Sequence, residues 1–93
     1  MPITVHIPAY LAGFADGQRS LKLPSSPATV SEAFNALWEL HPALRDRVLD
    51  EKGEVRQHIN VFVGEESIRF ASGLATAVSD KSEILIVPAV SGG

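Results

Sequence analysis

The most reactive group that the sequence offers outside its side chains is the carboxylate of Gly93, which follows Gly92 in a terminal diglycine. Glycine lacks a Cβ, so its backbone approaches other groups closely and adopts dihedral angles that are closed to other residues. We expect Gly93 to present its carboxylate for covalent activation, with Ser91 and Gly92 threading through the narrow part of an enzyme site. The dipeptide alone does not separate this reading from an inert chain end, because short motifs often match by chance.

The remaining residues form no other recognisable reactive site. The chain has no cysteine, which excludes disulfides, thiolate metal sites, a cysteine nucleophile and a side-chain persulfide. His6, His41 and His58 are widely separated, with no metal-ligand spacing, and we expect them to be structural or exposed. No phosphate-binding loop, dinucleotide fingerprint or nucleophile elbow occurs. The sequence therefore predicts no catalytic residue, no metal and no bound cofactor, and leaves Gly93 as the place to carry an activated group.

Composition predicts one small domain, over residues 1–87, followed by a tail of residues 88–93. The chain has 93 residues, 45% of them apolar, which suffices for one compact core. A net charge of −3 without a basic cluster argues against a nucleic-acid partner. No apolar run approaches the length of a membrane span, and the first residues do not resemble a signal peptide. We expect a cytoplasmic monomer that forms hetero-complexes.

Hydrophobic periodicity predicts strands at both ends of the chain. Apolar residues alternate with polar ones in the first strands, whereas Ile84 to Val87 is apolar throughout. A continuous apolar run is typical of a strand buried on both faces in the middle of a sheet. The rule of right-handed crossovers places the first and last strands parallel and adjacent. The predicted strands 3–7 and 20–23 form a hairpin, whose long connecting loop contains the turn signal Asp16-Gly17. The other predicted strands are 59–63, 68–70, which hairpins with the strand before it, and 83–87.

One helix is predicted between these groups of strands. Thr29 and Glu32 have the spacing of a capping box, in which the hydroxyl and the carboxylate each accept a backbone N–H. His41-Pro42 ends the helix, because the residue before proline is pushed out of the helical region. A shorter helical turn is expected within 43–49. The expected apolar stripe consists of Val30, Ala33, Phe34, Leu37 and Leu40. The order of elements predicts an α+β fold of the ubiquitin-like β-grasp type, with a mixed sheet of four to five strands and one main helix.

Three segments carry a resemblance to a known family: residues 59–63, residues 69–76 and residues 84–93, which end in Pro-Ala-Val-Ser-Gly-Gly. They resemble the ubiquitin-like sulfur carrier proteins of the MoaD/ThiS family, and within that family most of all the carrier of cysteine biosynthesis (CysO). One departure is Asp80-Lys81-Ser82, where such proteins often have an Asp-Gly-Asp turn. A turn that needs a positive φ would be strained at Lys81, so the resemblance leaves the geometry of this turn open.

The resemblance implies a carrier rather than an enzyme. An ATP-dependent, E1-like enzyme would adenylate Gly93, a sulfur donor would convert it to a thiocarboxylate, and a synthase would accept the sulfur. Phe62 and Phe70 are candidate docking residues for these partners, although Phe62 is at least as well explained as a core residue. Cysteine formation from an activated serine is the first expectation for the pathway, with molybdopterin, thiamin or a specialised metabolite as alternatives. A protein modifier conjugated through Gly93 and a non-covalent interaction module remain open.

Overall fold

A computed structural model of the chain describes residues 3–23, 27–79 and 82–88. Its centre is a mixed sheet of five strands in the order β2-β1-β5-β3-β4. The last strand lies in the middle of this sheet and parallel to the first, as predicted. It is also antiparallel to the third strand. The strands are β1 (Thr4–His6), β2 (Ser20–Lys22), β3 (Ile59–Val63), β4 (Glu66–Ser67) and β5 (Glu83–Pro88). The architecture is the ubiquitin-like β-grasp expected from the sequence.

The main helix, α1 (Val30–Leu40), is fixed at both ends by local chemistry. Thr29 Oγ1 accepts a hydrogen bond of 3.2 Å from the N–H of Glu32. The Glu32 carboxylate reaches back to the N–H of Ala28 at 3.3 Å, one residue before the usual capping-box partner. His41 ends the helix ahead of Pro42, as the sequence indicates. The cap therefore holds α1 at a fixed entry point across the sheet.

One face of the sheet forms the core together with α1. The helix contributes Val30, Ala33, Phe34 and Leu37, all essentially inaccessible to solvent. Leu40, predicted to belong to the same stripe, is instead 46% exposed. It lies in the last turn of the helix, where α1 gives way to the 3₁₀ helix Pro42–Leu44 and the short helix α2 (Arg45–Val48). In that following segment Leu44 and Val48 are buried, so the second helical turn predicted there is confirmed.

The central strand corrects one prediction. Ile84 and Ile86 of β5 are buried, but Leu85 and Val87 between and after them are only half-buried. The prediction that β5 is buried on both faces is therefore wrong. The reason is that α1 and its neighbours pack on one face of the sheet, and among the described residues no element is assigned to the other face.

The fourth strand also differs from the prediction. A hairpin with β3 does form, but β4 is Glu66–Ser67, and residues Ile68–Phe70 form a 3₁₀ helix instead. Ser67 Oγ accepts from the N–H of Arg69 at 3.3 Å, and this local bond competes with continuation of the strand ladder. At the same point the Ile68 side chain turns into the core, where it is 3% exposed. Burial of one apolar residue and a local hydroxyl bond thus end the strand early.

The N-terminal hairpin forms as predicted, with β1 and β2 antiparallel. Its long connection is ordered by a 3₁₀ helix, Ala9–Phe14, which the sequence did not indicate. Leu11 of this helix is buried and anchors the loop to the core. The connection then reverses at Asp16 and Gly17, which both have positive φ, so the turn signal at this pair is confirmed.

Candidate functional site: the open sheet face and the end of the last strand

The last strand leaves the sheet at its centre. Pro88, the final residue of β5, pairs with Ile59 at the beginning of β3, and Val87 pairs with Asn60. The predicted reactive and threading residues Ser91, Gly92 and Gly93 lie outside the described residues, as does the Asp80-Lys81 part of the turn before β5. What the structure gives is the strand from which the tail departs.

The face of the sheet opposite α1, here called the open face, carries one residue from each strand in a single row. Direct strand pairing places these residues side by side. The row consists of Ser20, His6, Leu85, Phe62 and Ser67. Leu85 and Phe62 are its apolar centre, and both are half-buried. Phe62, which the sequence left between core and docking residue, therefore lies on the face away from the helix.

His6 is held by hydrogen bonds on both ring nitrogens. Nε2 lies 2.7 Å from Glu83 Oε1 and Nδ1 lies 3.1 Å from Ser20 Oγ. A neutral ring protonated on Nε2 donates to the carboxylate and accepts from the hydroxyl. The sequence showed no carboxylate near His6, because Glu83 is 77 positions away. The signal that could have revealed the pair is the parallel register of β1 and β5, which sets Thr4 opposite Glu83.

Phe70, the second predicted docking residue, lies on a different element. It is 89% exposed on the 3₁₀ helix Ile68–Phe70, which follows the edge strand β4. The guanidinium of Arg69 donates through Nη2 to the carbonyl oxygens of Ile59 at 3.1 Å and Gln57 at 3.3 Å. Phe62 is thus carried by an inner strand of the sheet and Phe70 by the 3₁₀ helix that follows the edge strand. Sequence reasoning did not anticipate Leu85 and Val87 on the open face, nor the role of Arg69.

Other kinds of site find little support within the described ranges. No three His, Asp or Glu side chains there gather in a way that could hold a metal ion. His41 is half-buried and His58 is exposed. In the same part of the chain, no helix combines the length and apolar character needed to cross a membrane.

Known proteins of one family are similar to this chain along nearly its whole length. The model of the ThiS family matches residues 5–93, which is nearly the whole chain. The chain belongs to the ThiS family. Among curated relatives, the sulfur carrier protein CysO of Mycobacterium tuberculosis is 34% identical over 95 residues, covering 100% of both chains. Small archaeal modifier protein 1 of Haloferax volcanii is 42% identical over 78 residues, covering 83% of this chain and 85% of the relative.

Solved structures give the same assignment. A chain of the Amycolatopsis orientalis BexX/CysO complex superposes with a TM-score of 0.86 at 34% identity, covering 98% of this ThiS-family chain and 99% of its own length. Small archaeal modifier protein 1 of Haloferax volcanii gives a TM-score of 0.79 at 35% identity, with both chains covered in full. The resemblance drawn from the sequence is therefore confirmed. The chain is a small β-grasp protein of the sulfur carrier and modifier class, and not a catalytic enzyme.

Proposed function

We propose that this protein is a sulfur carrier whose Gly93 carboxylate is adenylated and then converted to a thiocarboxylate that donates sulfur to a biosynthetic enzyme. The observation that supports this most directly is the position of β5. It is the central strand of the sheet, it ends at Pro88, and only four residues lie between Pro88 and Gly93. The family match, which extends to residue 93, supports the same reading.

The chemistry requires an activating partner, because a carboxylate is a poor electrophile. The carboxylate oxygen of Gly93 attacks the α-phosphorus of ATP, and pyrophosphate leaves. A sulfur nucleophile from a donor then attacks the acyl carbon and displaces AMP, which leaves sulfur bonded to the Gly93 carbonyl. ATP is bound by the activating, E1-like enzyme and not by the carrier. The carrier supplies the reacting carboxylate and its positioning.

Positioning depends on the tail reaching into the partner. An extended chain spans about 3.3 to 3.6 Å per residue, so residues 89–93 reach on the order of 16 Å beyond β5. Gly92 takes the narrowest part of the channel because it has no side chain, and Ser91 precedes it. The globule stays outside during this insertion and must be recognised by its own surface.

The open face is the surface that we propose for this recognition. Phe62 and Leu85 form a half-buried apolar pair on it. Leu85 is three residues before Pro88, or about 10 Å at the rise of a β-strand. A partner that receives the tail therefore meets this pair, and aromatic residues in such positions often dominate binding energy. We further propose that the enzyme accepting the sulfur forms cysteine from an activated serine, which similarity to CysO favours.

A second candidate is a protein modifier whose Gly93 forms an amide with lysines of other proteins. The specific observation in its favour is the 42% identity to small archaeal modifier protein 1, higher than the 34% identity to CysO although over a shorter stretch. Both candidates share the adenylation step. They differ in whether sulfur or a lysine amine attacks the acyl-adenylate.

Intact-mass measurement separates these functions. The protein is incubated with its activating enzyme, ATP and a sulfur donor. A sulfur carrier gains the mass difference between one sulfur and one oxygen atom, whereas a modifier gives lysine-linked adducts and an inert module gives no change. Gly92→Val serves as the matched variant, and we expect its adenylation to be slower. Wild-type adenylation kinetics in Gly92→Val would contradict the threading role of Gly92.

A further inference from the structure

Phe70 is the most exposed large apolar side chain in the described part of the chain. It is 89% exposed, compared with 54% for Tyr10 and 46% for Leu40. Single exposed apolar residues are common and need no special explanation by themselves. Phe70 differs because the backbone that presents it is fixed from several directions, so the ring is held out on a defined support.

The support is the turn of residues 68–70, here called the Phe70 turn. Ile68 anchors it in the core, and the N–H of Ala71 donates to the Ile68 carbonyl at 3.1 Å. Ser67 Oγ caps its beginning by accepting from the N–H of Arg69. The Arg69 guanidinium binds two backbone carbonyls of the neighbouring segment. A rigidly presented aromatic ring loses little conformational entropy when a partner binds it.

The Arg69 contacts also locate the turn relative to the tail. They are made to Gln57 and Ile59 at the beginning of β3, and Ile59 pairs directly with Pro88. Neighbouring strands are about 4.8 Å apart, so the guanidinium lies within about two strand spacings of the residue at which the tail begins. An enzyme that takes the tail from Pro88 onward must therefore come close to the Phe70 turn.

A shallow depression of about 420 Å³ adjoins this turn. Its apolar walls come from Val55, Val61, Ile68 and Leu74, and Arg69 and Gln57 line it as well. Glu54 lines it too, so the surface offers a projecting aromatic ring beside a hollow with both apolar and charged walls. Such an arrangement can receive an apolar side chain from the same partner that encloses the ring, which is how binding hot spots are commonly built.

We propose that the Phe70 turn and this depression form a second contact for the activating enzyme, which encloses the phenyl ring in an apolar pocket beside the channel for the tail. This inference rests on the proposed adenylation of Gly93. Its basis is continuity with the point where the tail departs. The depression is lined by Val61 from the covered face, whereas Phe62 and Leu85 belong to the open face. The enzyme therefore contacts the carrier at two places and fixes the direction of the tail between them.

The test measures steady-state adenylation by ATP–pyrophosphate exchange. The concentration of the carrier is varied in this assay. For Phe70→Ser we expect KM for the carrier to rise about tenfold or more, the loss typical of a hot-spot residue, with kcat unchanged. Phe70→Leu should recover most of the affinity, because the pocket selects for apolar volume. Leu40→Ser is the matched control, since it removes another exposed apolar side chain from the helix side, and its KM should equal that of the wild type. Unfolding measurements on each variant check that the fold is intact.

The outcomes are distinguishable from failure of the proposed function. If the wild-type protein is not adenylated, the proposed function fails and this inference falls with it. If the wild type is adenylated and Phe70→Ser keeps the wild-type KM, only the Phe70 contact is overturned. The same holds if the variant loses sulfur transfer to the synthase alone, or if it changes self-association without changing KM. Equal effects of Phe70→Ser and Leu40→Ser would also overturn it.

Discussion

The two faces of the sheet carry similar apolar residues, which are in the core on one face and partly exposed on the other. On the face covered by α1, Val5, Val61, Ile84 and Ile86 are at most 1% exposed and belong to one continuous core. On the open face, Leu85 and Phe62 come from the same strands but remain half-buried. Apolar residues on the covered face thus supply folding energy, whereas those on the open face retain surface that a partner can bury.

The difference between the two faces also explains why the central strand β5 has apolar residues on its open side. In a strand that serves folding alone, the residues facing solvent are commonly polar, as in the alternation of half-exposed antiparallel strands. Residues 84–87 of β5 are apolar on both faces although only one face is covered. The second set of apolar residues makes physical sense if the open face becomes covered during function, as proposed for docking of the activating enzyme.

Neighbouring substitutions in β5 test this division most strongly. Ile86→Ala removes a side chain that is 1% exposed, and we expect it to lower the free energy of unfolding by about 2 to 5 kcal/mol. Leu85→Ala, one residue earlier on the open face, should cost less than half as much, because its site already contacts solvent. Denaturant titration of both variants gives the comparison directly. Equal losses would mean that the two faces contribute alike and would remove the distinction drawn above.

Phe62 tests the other half of the comparison. We expect Phe62→Ser to weaken binding to the activating enzyme about tenfold. It should reduce stability less than Ile86→Ala does, because Phe62 is only half-buried and lies outside the core cluster. Titration calorimetry measures the affinity. Thr4→Ala is a control on the first strand of the same sheet, at a polar position outside the apolar pair, and should bind as the wild type does. Unchanged affinity in Phe62→Ser would assign docking to another surface.

Much of this arrangement was predictable from sequence wherever a local signal was strong. Strand β3 and the beginning of α1 appear where the mostly apolar segment 59–63 and the Thr29 cap place them, because both patterns are set by near neighbours in the chain. The central position of β5 also followed from its apolar run. The solvent-facing side of that run did not, since the sequence cannot show that only one face of the sheet receives a helix.

The remaining errors share a non-local cause. The chain leaves β4 early because Ile68 finds a place in the core, and that place depends on the packing of distant segments. The His6–Glu83 pair and the bonds from Arg69 to Gln57 and Ile59 likewise join residues far apart in sequence. For the candidate site, Gly93 was identified by its chemistry and family resemblance, and its role stays a prediction. The surface around Pro88, where the tail begins, could be identified only from the fold.

The smallest predicted effect concerns Asp50, a polar residue that contributes to stability from a turn outside the strands of the sheet. Asp50 Oδ1 accepts from the N–H groups of Glu54 at 3.0 Å and Lys52 at 2.8 Å, closing the turn that leads toward β3. The hydrogen bond from Glu54, with further help from Lys52 and the charge of Arg56, holds the pKa of Asp50 below its ordinary value of 3.8. The folded state therefore binds this proton less readily than the unfolded state does, and the stability that the ionised group contributes is complete above that ordinary value.

This contribution is lost as the pH falls through the lowered folded-state pKa. Asp50→Asn keeps an accepting oxygen but not the charge, so we expect it to be slightly less stable than the wild type at neutral pH and equally stable once Asp50 is protonated. Asp50→Ala removes the acceptor and should stay less stable at every pH. Denaturant titrations of the three proteins from pH 7 down to acid pH measure both differences. If the difference in the free energy of unfolding between Asp50→Asn and the wild type stays constant with pH, the carboxylate acts through geometry alone. The charge of Asp50 would then contribute nothing to stability, which we attribute to the covered face of the sheet.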